Sequence, residues 1–403
     1  MAKVYVLGTS NSIIGIRGYV EALKMSHYVL NKSCGRNSLF YHVAHILQNR
    51  EAIEACDFLL VDHYGNDANH YGGVLGESYD TYLEYFYFLL STLNVHVVNI
   101  MFPRRRHVFK EVHEKVVKVA NQYNITTVDL GQLEFRREHF IDDFHIDRFT
   151  SYMLGMFLSR EIDRVSNDVP HGGVLNRFPM RVIAAKQLCS DEALQTFSNS
   201  LVSVEYFSLE SSFSISLAAS ERVVSLGYFR AFNEVKSQAF CVNSVMAGVV
   251  ARDKGFYQEY VGEIEPGRVE LVPILGQNEN VPVMAKRGQT SGKFVPPCLV
   301  NLLTIDDSAK CEGGSASRDL LKFDLSGLIV SIDSCKSKAI SSEEIPDGAI
   351  DKIRDTAVSM ESENLNIASG LMRIAALYRP TGPFIVKKNS EYRMLKIKEK
   401  SRQ

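Results

Sequence analysis

Short apolar runs alternate with amphipathic stretches through the first part of the chain, and this alternation constrains the fold more than any other feature. Runs at Lys3–Gly8, His27–Asn31, Asp57–Asp62, Val95–Ile100 and Ile125–Leu130 are rich in β-branched and aromatic residues. That texture suits strands buried on both faces of a parallel sheet. Between them, Ser38–Leu47 places Leu39, Val43 and Ile46 or Leu47 on one side, and Val108–Val119 places Val112, Val116 and Val119 on one side. A last helix is expected over Phe149–Leu158. Strict alternation of strand and helix predicts a three-layer α/β domain with right-handed crossovers.

The texture changes at Ser166–Gly173, where Asn167, Asp168, Pro170, Gly172 and Gly173 give a linker composition. Beyond it, polar and apolar residues alternate with period two in Leu201–Phe207 and Phe213–Leu217, and short strands are also expected at Arg222–Phe229, Ala239–Val242 and Arg268–Leu275. The expectation is an α/β domain over 1–168 and a mainly β, sandwich-like accessory domain over 175–403. One helix is expected at Ile350–Met360, and the basic end, with Lys387, Lys388, Arg393, Lys396, Lys398 and Lys400, is read as a solvated final strand. At 403 residues the chain is long enough for two domains.

A net charge of −2 gives no reason to expect nucleic acid as a partner. The apolar run Tyr85–Leu90 is too short to span a bilayer, and no signal-peptide pattern follows Met1. The seven cysteines are dispersed without a CxxC pair, which suits a reducing compartment, so a cytoplasmic location is expected. The oligomeric state leaves no mark in the sequence.

In a parallel sheet the carboxyl ends of the strands share one edge, and ligand sites form there. Ser10 follows the first run, Gly35 the second and Asn66 the third; Asp142 and His145 follow the fifth. A serine hydroxyl needs a base to take its proton, and that base needs an orienting acid. The backbone N–H groups of Ser10 and Gly35, with the Asn66 amide, are candidate donors to an oxyanion. Taken singly, Ser10, Gly35 and Asn66 also suit ordinary turns. Asp143 is an alternative acid.

These residues resemble the SGNH hydrolase superfamily, the GDSL-type esterases and acyltransferases, over the first domain only. Ser10 matches the serine of block one, Gly35 the glycine of block two, Asn66 the asparagine of block three and His145 the histidine of block five, with Asp142 three residues before it. The resemblance implies a flavodoxin-like three-layer domain, a Ser10–His145–Asp142 triad and an oxyanion hole that includes Gly35 and Asn66. Two positions depart from the pattern: Thr9 stands where the family has aspartate, and Gly65 directly precedes Asn66.

Three functions follow as expectations. The first is an esterase removing O-acyl, chiefly O-acetyl, groups from a carbohydrate or polysaccharide without a cofactor. The second is a carbohydrate O-acetyltransferase of surface-polysaccharide biosynthesis, for which acetyl-CoA would be the donor. The third is a non-catalytic glycan-binding protein. Arg104 and Arg105 follow the fourth run in Pro103–His107 and read either as solvated charge or as an anion clamp; His63 borders the expected site as a substrate contact. His42, His45 and His70 read as packing or surface histidines, because no HExxH or Cys/His metal pattern is present.

Overall fold

The computed structural model describes residues 1–403 except 14–17, 71–75, 77, 106–109, 166–172, 200, 202, 231–236, 244–247, 252–254, 263, 278–282, 288–292, 317–319, 341–346, 364, 380–381 and 401–403. The expected linker at Ser166–Gly173 therefore lies almost wholly outside the described residues, as do Arg106 and His107. The chain forms two compact units, Met1–Ile329 and Val330–Gln403. The expected division between 168 and 175 falls inside the first unit.

Strands β1 (Lys3–Leu7), β2 (Tyr28–Asn31), β3 (Phe58–Val61), β4 (His96–Met101) and β5 (Thr126–Asp129) form a parallel sheet in the order β2-β1-β3-β4-β5. That is the doubly wound order of flavodoxin-like folds, with its switch point between β1 and β3. Every residue of β3 and β4 is buried, which explains why these strands read as continuous apolar runs. The connecting helices are α1 (Ser10–Ile13), α2 (Tyr19–Leu23), α3 (Leu39–Glu54), α4 (Tyr64–His70), α5 (Ser78–Ser91), α6 (Lys110–Gln122) and α7 (Arg148–Arg164). Asp147 caps α7: its carboxylate accepts from the N–H groups of Phe149 and Thr150.

The remaining strands are β6 (Val174–Arg177), β7 (Met180–Ala184), β8 (Gln195–Ser198), β9 (Ser203–Ser208), β10 (Phe213–Ser216), β11 (Glu221–Arg230), β12 (Ser237–Val242), β13 (Gly248–Ala251), β14 (Gly255–Tyr260), β15 (Arg268–Pro273), β16 (Gly276–Gln277), β17 (Val283–Arg287), β18 (Lys293–Val295), β19 (Cys298–Asp306) and β20 (Glu312–Gly314). One sheet runs β14-β11-β19-β9-β8 with β7 beside β19, all antiparallel. A second is built on β10-β15-β12-β13-β17 and mixes antiparallel with parallel pairs. Residues of both, including Leu226, Tyr228, Phe240 and Leu271, share one buried cluster.

The opposite face of the β14-β11-β19 sheet explains why the boundary moved. Val224, Phe229, Phe256, Tyr260, Val300 and Leu303 belong to the same core as Phe40, Val43, Tyr82 and Phe86 of α3 and α5. The rings of Phe40 and Tyr260 stack at 5.4 Å. Apolar faces that look like two separate cores in sequence are thus buried against each other in one unit.

After Ile329 the chain is helical among its described residues: α8 (Leu328–Ile340) runs into the second unit, followed by α9 (Asp347–Ser359), α10 (Leu365–Tyr378) and α11 (Pro383–Lys400). The expected final strand is a correction. Pro383 opens a helix, where a missing N–H costs nothing, and Ile385 and Tyr392, seven apart, join the buried cluster of this unit. Among the described residues no helix is long and apolar enough to cross a membrane.

Candidate active site

β1 delivers Gly8, Thr9 and Ser10 into the first turn of α1. The turn is held from beneath by Asp62, the residue after β3, which is 1% exposed. Its Oδ2 accepts from Thr9 N at 3.1 Å, Thr9 Oγ1 at 2.8 Å and Ser12 Oγ at 3.1 Å. Burial pushes the Asp62 carboxyl up, and the bonds from Thr9 and Ser12 only partly oppose that. Ser12 Oγ also meets Tyr19 Oη at 2.7 Å, which ties the turn to α2. Thr9, the departure from the family pattern, thus supplies two of the donors that fix the serine's backbone. Asp62 was missed by sequence reasoning; its position at a strand end was the available signal, but its partners Ser12 and Thr9 lie 50 and 53 residues away.

His145 and Asp142 sit on a short loop closed by the Phe140–Ile146 bridge, with Ile141 N donating to His145 O at 2.9 Å. Ser10 Oγ lies 2.7 Å from His145 Nε2, and His145 Nδ1 lies 2.8 Å from Asp142 Oδ2. An ionised carboxylate only accepts, so Nδ1 carries the ring proton and Nε2 is left to accept from the serine hydroxyl. Asp142 Oδ1 accepts in addition from Phe144 N at 2.7 Å and His145 N at 2.8 Å. The loop is pinned from outside: Asn11 Nδ2 donates to Phe144 O at 3.3 Å.

Burial pushes the Asp142 carboxyl up, but the His145 ring and the two backbone N–H groups outweigh it, and the net direction is down. A carboxyl depressed in the folded state contributes stability that is fully present above its unfolded pKa of about 3.9, and that is lost as pH falls through the depressed folded value. The stability gap between the parent and Asp142→Ala is therefore expected to stay constant from about pH 7 down to 5 and to shrink below about pH 4. Urea unfolding across that range reads it directly.

The arginines do not form a free anion clamp. Arg105 pairs with Asp143 at 2.5 Å and its N–H donates to Asp143 O at 3.1 Å. Arg104 is buried, with its guanidinium 4.8 Å from the Phe144 ring centre. Both brace the loop that carries His145, and Asp143, the alternative acid, faces Arg105 rather than the histidine. His63 is a second correction: it is 0% exposed, with Nδ1 2.6 Å from Asp67 Oδ2 and Nε2 3.0 Å from Tyr87 Oη. It is a core histidine in a hydrogen-bonded chain under the site, not a substrate contact.

Gly35 stands beside the serine: a Cβ there would lie 3.8 Å from Ser10 Cβ and 3.1 Å from Ile13 Cδ1. The left-handed residue of this loop is Arg36, with φ of 67°, so close approach rather than positive φ is what glycine provides at 35. Asn66 lies in α4 and donates from Nδ2 to Asn37 O at 2.8 Å. A carboxamide has two N–H donors, so this bond uses one while it anchors the loop of Gly35.

Asn37, also missed by sequence reasoning, joins that loop to the antiparallel sheet. Its Oδ1 accepts from Gln258 N at 2.6 Å and its Nδ2 donates to Phe256 O at 3.2 Å. The side chain thereby pairs with the edge of β14 as another strand's peptide group would. Asn37→Ala leaves the buried Gln258 N–H without a partner and the Phe256 carbonyl with only the weak Cys34 Sγ donor at 3.7 Å, and is expected to destabilise the first unit by about 1–3 kcal/mol, measured by urea unfolding.

His42 Nε2 lies 3.1 Å from Leu7 O, and burial, with His63 second, holds its imidazole down at about 4. Among the described residues no group of three or more His, Cys, Asp or Glu side chains is placed to hold a metal ion.

No family model matches the chain, and no curated protein does. Similar solved structures include a G-D-S-L family protein from Desulfitobacterium hafniense DCB-2 (14% identity, 39% of this chain and 98% of that one, TM-score 0.32). Others are the family 3 carbohydrate esterase of Clostridium thermocellum (15%, 40% and 96%, 0.34) and a lipase/acylhydrolase from Enterococcus faecalis (18%, 42% and 99%, 0.33). Each of these three structures is matched over about 40% of this chain.

Proposed function

We propose that the chain is a serine esterase that removes O-acyl groups, foremost O-acetyl, from a carbohydrate. The observation that carries the reaction class is the hydrogen-bonded line from Ser10 Oγ through His145 to Asp142, at 2.7 and 2.8 Å. His145 Nε2 takes the hydroxyl proton as Ser10 Oγ attacks the ester carbonyl. The carbonyl electrons move onto oxygen, where the N–H groups of Ser10 and Gly35 and the Asn66 amide are the donors at hand; each such donor is worth about 3–4 kcal/mol in enzymes of this kind. Collapse breaks the ester C–O bond, and His145 returns the proton to the leaving alkoxide. Water then attacks the acyl-serine with His145 again as base, releasing the carboxylic acid and restoring Ser10.

The exposure of the line favours water over a second acceptor. The Asp142 side chain is 48% exposed and that of His145 29%, whereas transfer needs water kept from the acyl-enzyme. The arginines that would have held coenzyme A phosphates are engaged with the His145 loop. The carbohydrate is the substrate class that the superfamily resemblance implies.

The test is acetate release from acetylated xylo-oligosaccharides by the full chain, with acetyl-CoA added in a parallel arm. Release without acetyl-CoA supports the esterase. Transfer to the oligosaccharide that requires acetyl-CoA would replace it with the transferase.

A further inference from the structure

Gly35 is held between two anchors that come from different parts of the chain. Before it, Cys34 N donates to Gly8 O at 2.9 Å and Gly8 N donates to Ser33 Oγ at 2.9 Å. These bonds lace the loop to the end of β1, beside Ser10. After it stands Asn37, which is 1% exposed. Both N–H groups of its carboxamide are used, one on Phe256 O and one on Gly35 O, each at 3.2 Å. Its Oδ1 accepts from Gln258 N at 2.6 Å, and its backbone O accepts from Asn66 Nδ2 at 2.8 Å. Asn37 thus touches the edge strand β14, the Gly35 peptide and the Asn66 amide at once.

Between the anchors the backbone is strained. Arg36 has φ of 67°, the left-handed region that disfavours any residue with a Cβ and leaves glycine free. The Arg36 side chain is exposed, so its burial is not what holds this conformation. Strained backbone of this kind persists only where the surroundings over-determine it. Here the bond from Asn37 Nδ2 to Gly35 O spans Arg36, and β14 grips the same carboxamide. Were Arg36 to relax to negative φ, the chain direction between 35 and 37 would change. Either Asn37 would leave β14 or Gly35 would turn away from Ser10.

We propose that the edge of β14, acting through Asn37, keeps Arg36 left-handed and so aims the Gly35 N–H at the oxyanion. Asn37 is then a positioning residue, and the antiparallel sheet is a working part of the active site. The sheet residues concerned, Phe256 and Gln258, lie 219 and 221 positions beyond Asn37. The inference rests on the esterase reading above and adds to it what sets one of its oxyanion donors.

The experiment uses the full chain with p-nitrophenyl acetate as substrate. Active serines are counted by the nitrophenol released on titration with a p-nitrophenyl phosphonate, which separates loss of folded enzyme from loss of rate. Asn37→Ala is expected to lower kcat per active serine by about tenfold to a hundredfold, against roughly 10²–10³-fold for outright loss of an oxyanion donor. KM is expected to stay within about threefold, because the donor acts in the transition state. If Asn37 were merely structural, the urea midpoint and the count of active serines would fall while kcat per active serine stayed at the parent value; that result overturns the proposal.

Arg36→Val and Arg36→Gly form a second pair that leaves Asn37 and the core untouched. Both remove the same exposed guanidinium, but a β-branched residue resists positive φ and glycine does not. The valine variant is expected to be about tenfold slower in kcat than the glycine variant, at similar KM. Equal kcat in the two overturns the proposal. Parent-like activity in Ser10→Ala would instead remove the esterase reading itself, so the two failures are distinguishable.

Discussion

Ser10→Ala lowers kcat/KM toward p-nitrophenyl acetate by about 10⁴-fold, within an expected span of roughly 10³ to 10⁶, while the melting temperature stays within about 2 °C of the parent. The size of the loss follows from the covalent step: without Oγ no acyl-enzyme forms, and only binding and oxyanion stabilisation remain. The small stability change follows from the surroundings. The hydrogen bonds that hold the turn run through Thr9 and Ser12 to Asp62, not through the Ser10 hydroxyl. His145→Ala is expected to lose a similar factor, and the double variant no more than either alone, because the two groups act as a unit. Steady-state kinetics on the three variants decide it. Parent-like activity in Ser10→Ala would remove serine catalysis altogether.

Gly155→Ala is expected to destabilise the first unit by about 2–4 kcal/mol, although alanine for glycine inside a helix normally stabilises by about 1 kcal/mol. The contest is settled by contact. A Cβ at 155 would stand 2.3 Å from Tyr19 O, 2.7 Å from Tyr19 Cα and 2.6 Å from Ala22 Cβ. Two of these are backbone atoms, so no rotamer change relieves the clash and α2 must move away from α7. The movement reaches the site: Tyr19 N donates to Ser151 Oγ at 2.9 Å, and Tyr19 Oη meets Ser12 Oγ. A lower urea midpoint together with reduced esterase activity is the expected pair of results. An unchanged midpoint would show that the helices have room to separate at little cost.

What could be read from the chain divides along the range of the forces involved. The inner strands β1, β3 and β4 were legible because burial on both faces leaves a continuous apolar run, and Phe58–Val61 is such a run. Ser10 follows β1, whereas Asp142 and His145 lie well past β5, just before α7; the three side chains meet in space. The role of Gly35 was only half legible: proximity to Ser10, not backbone sign, is what the position requires. His63 and the arginines were read from their place in the chain, but their partners Asp67, Tyr87, Asp143 and Phe144 decide what they do. The basic end was misread because its charges mask the spacing that buries Ile385 and Tyr392.

Local pattern was enough to determine the alternating α/β framework, its strand edges and the residue types gathered there, because periodicity and turn chemistry act over a few positions. Only the tertiary structure decided that Asp62 holds the serine turn, that Asn37 ties the Gly35 loop to β14, and that the antiparallel sheet shares a core with α3 and α5. Those outcomes depend on hydrogen bonds and apolar contacts between residues tens to hundreds of positions apart. Such pairings are selected by which buried donors and faces meet in space, and no short stretch of the chain contains that information.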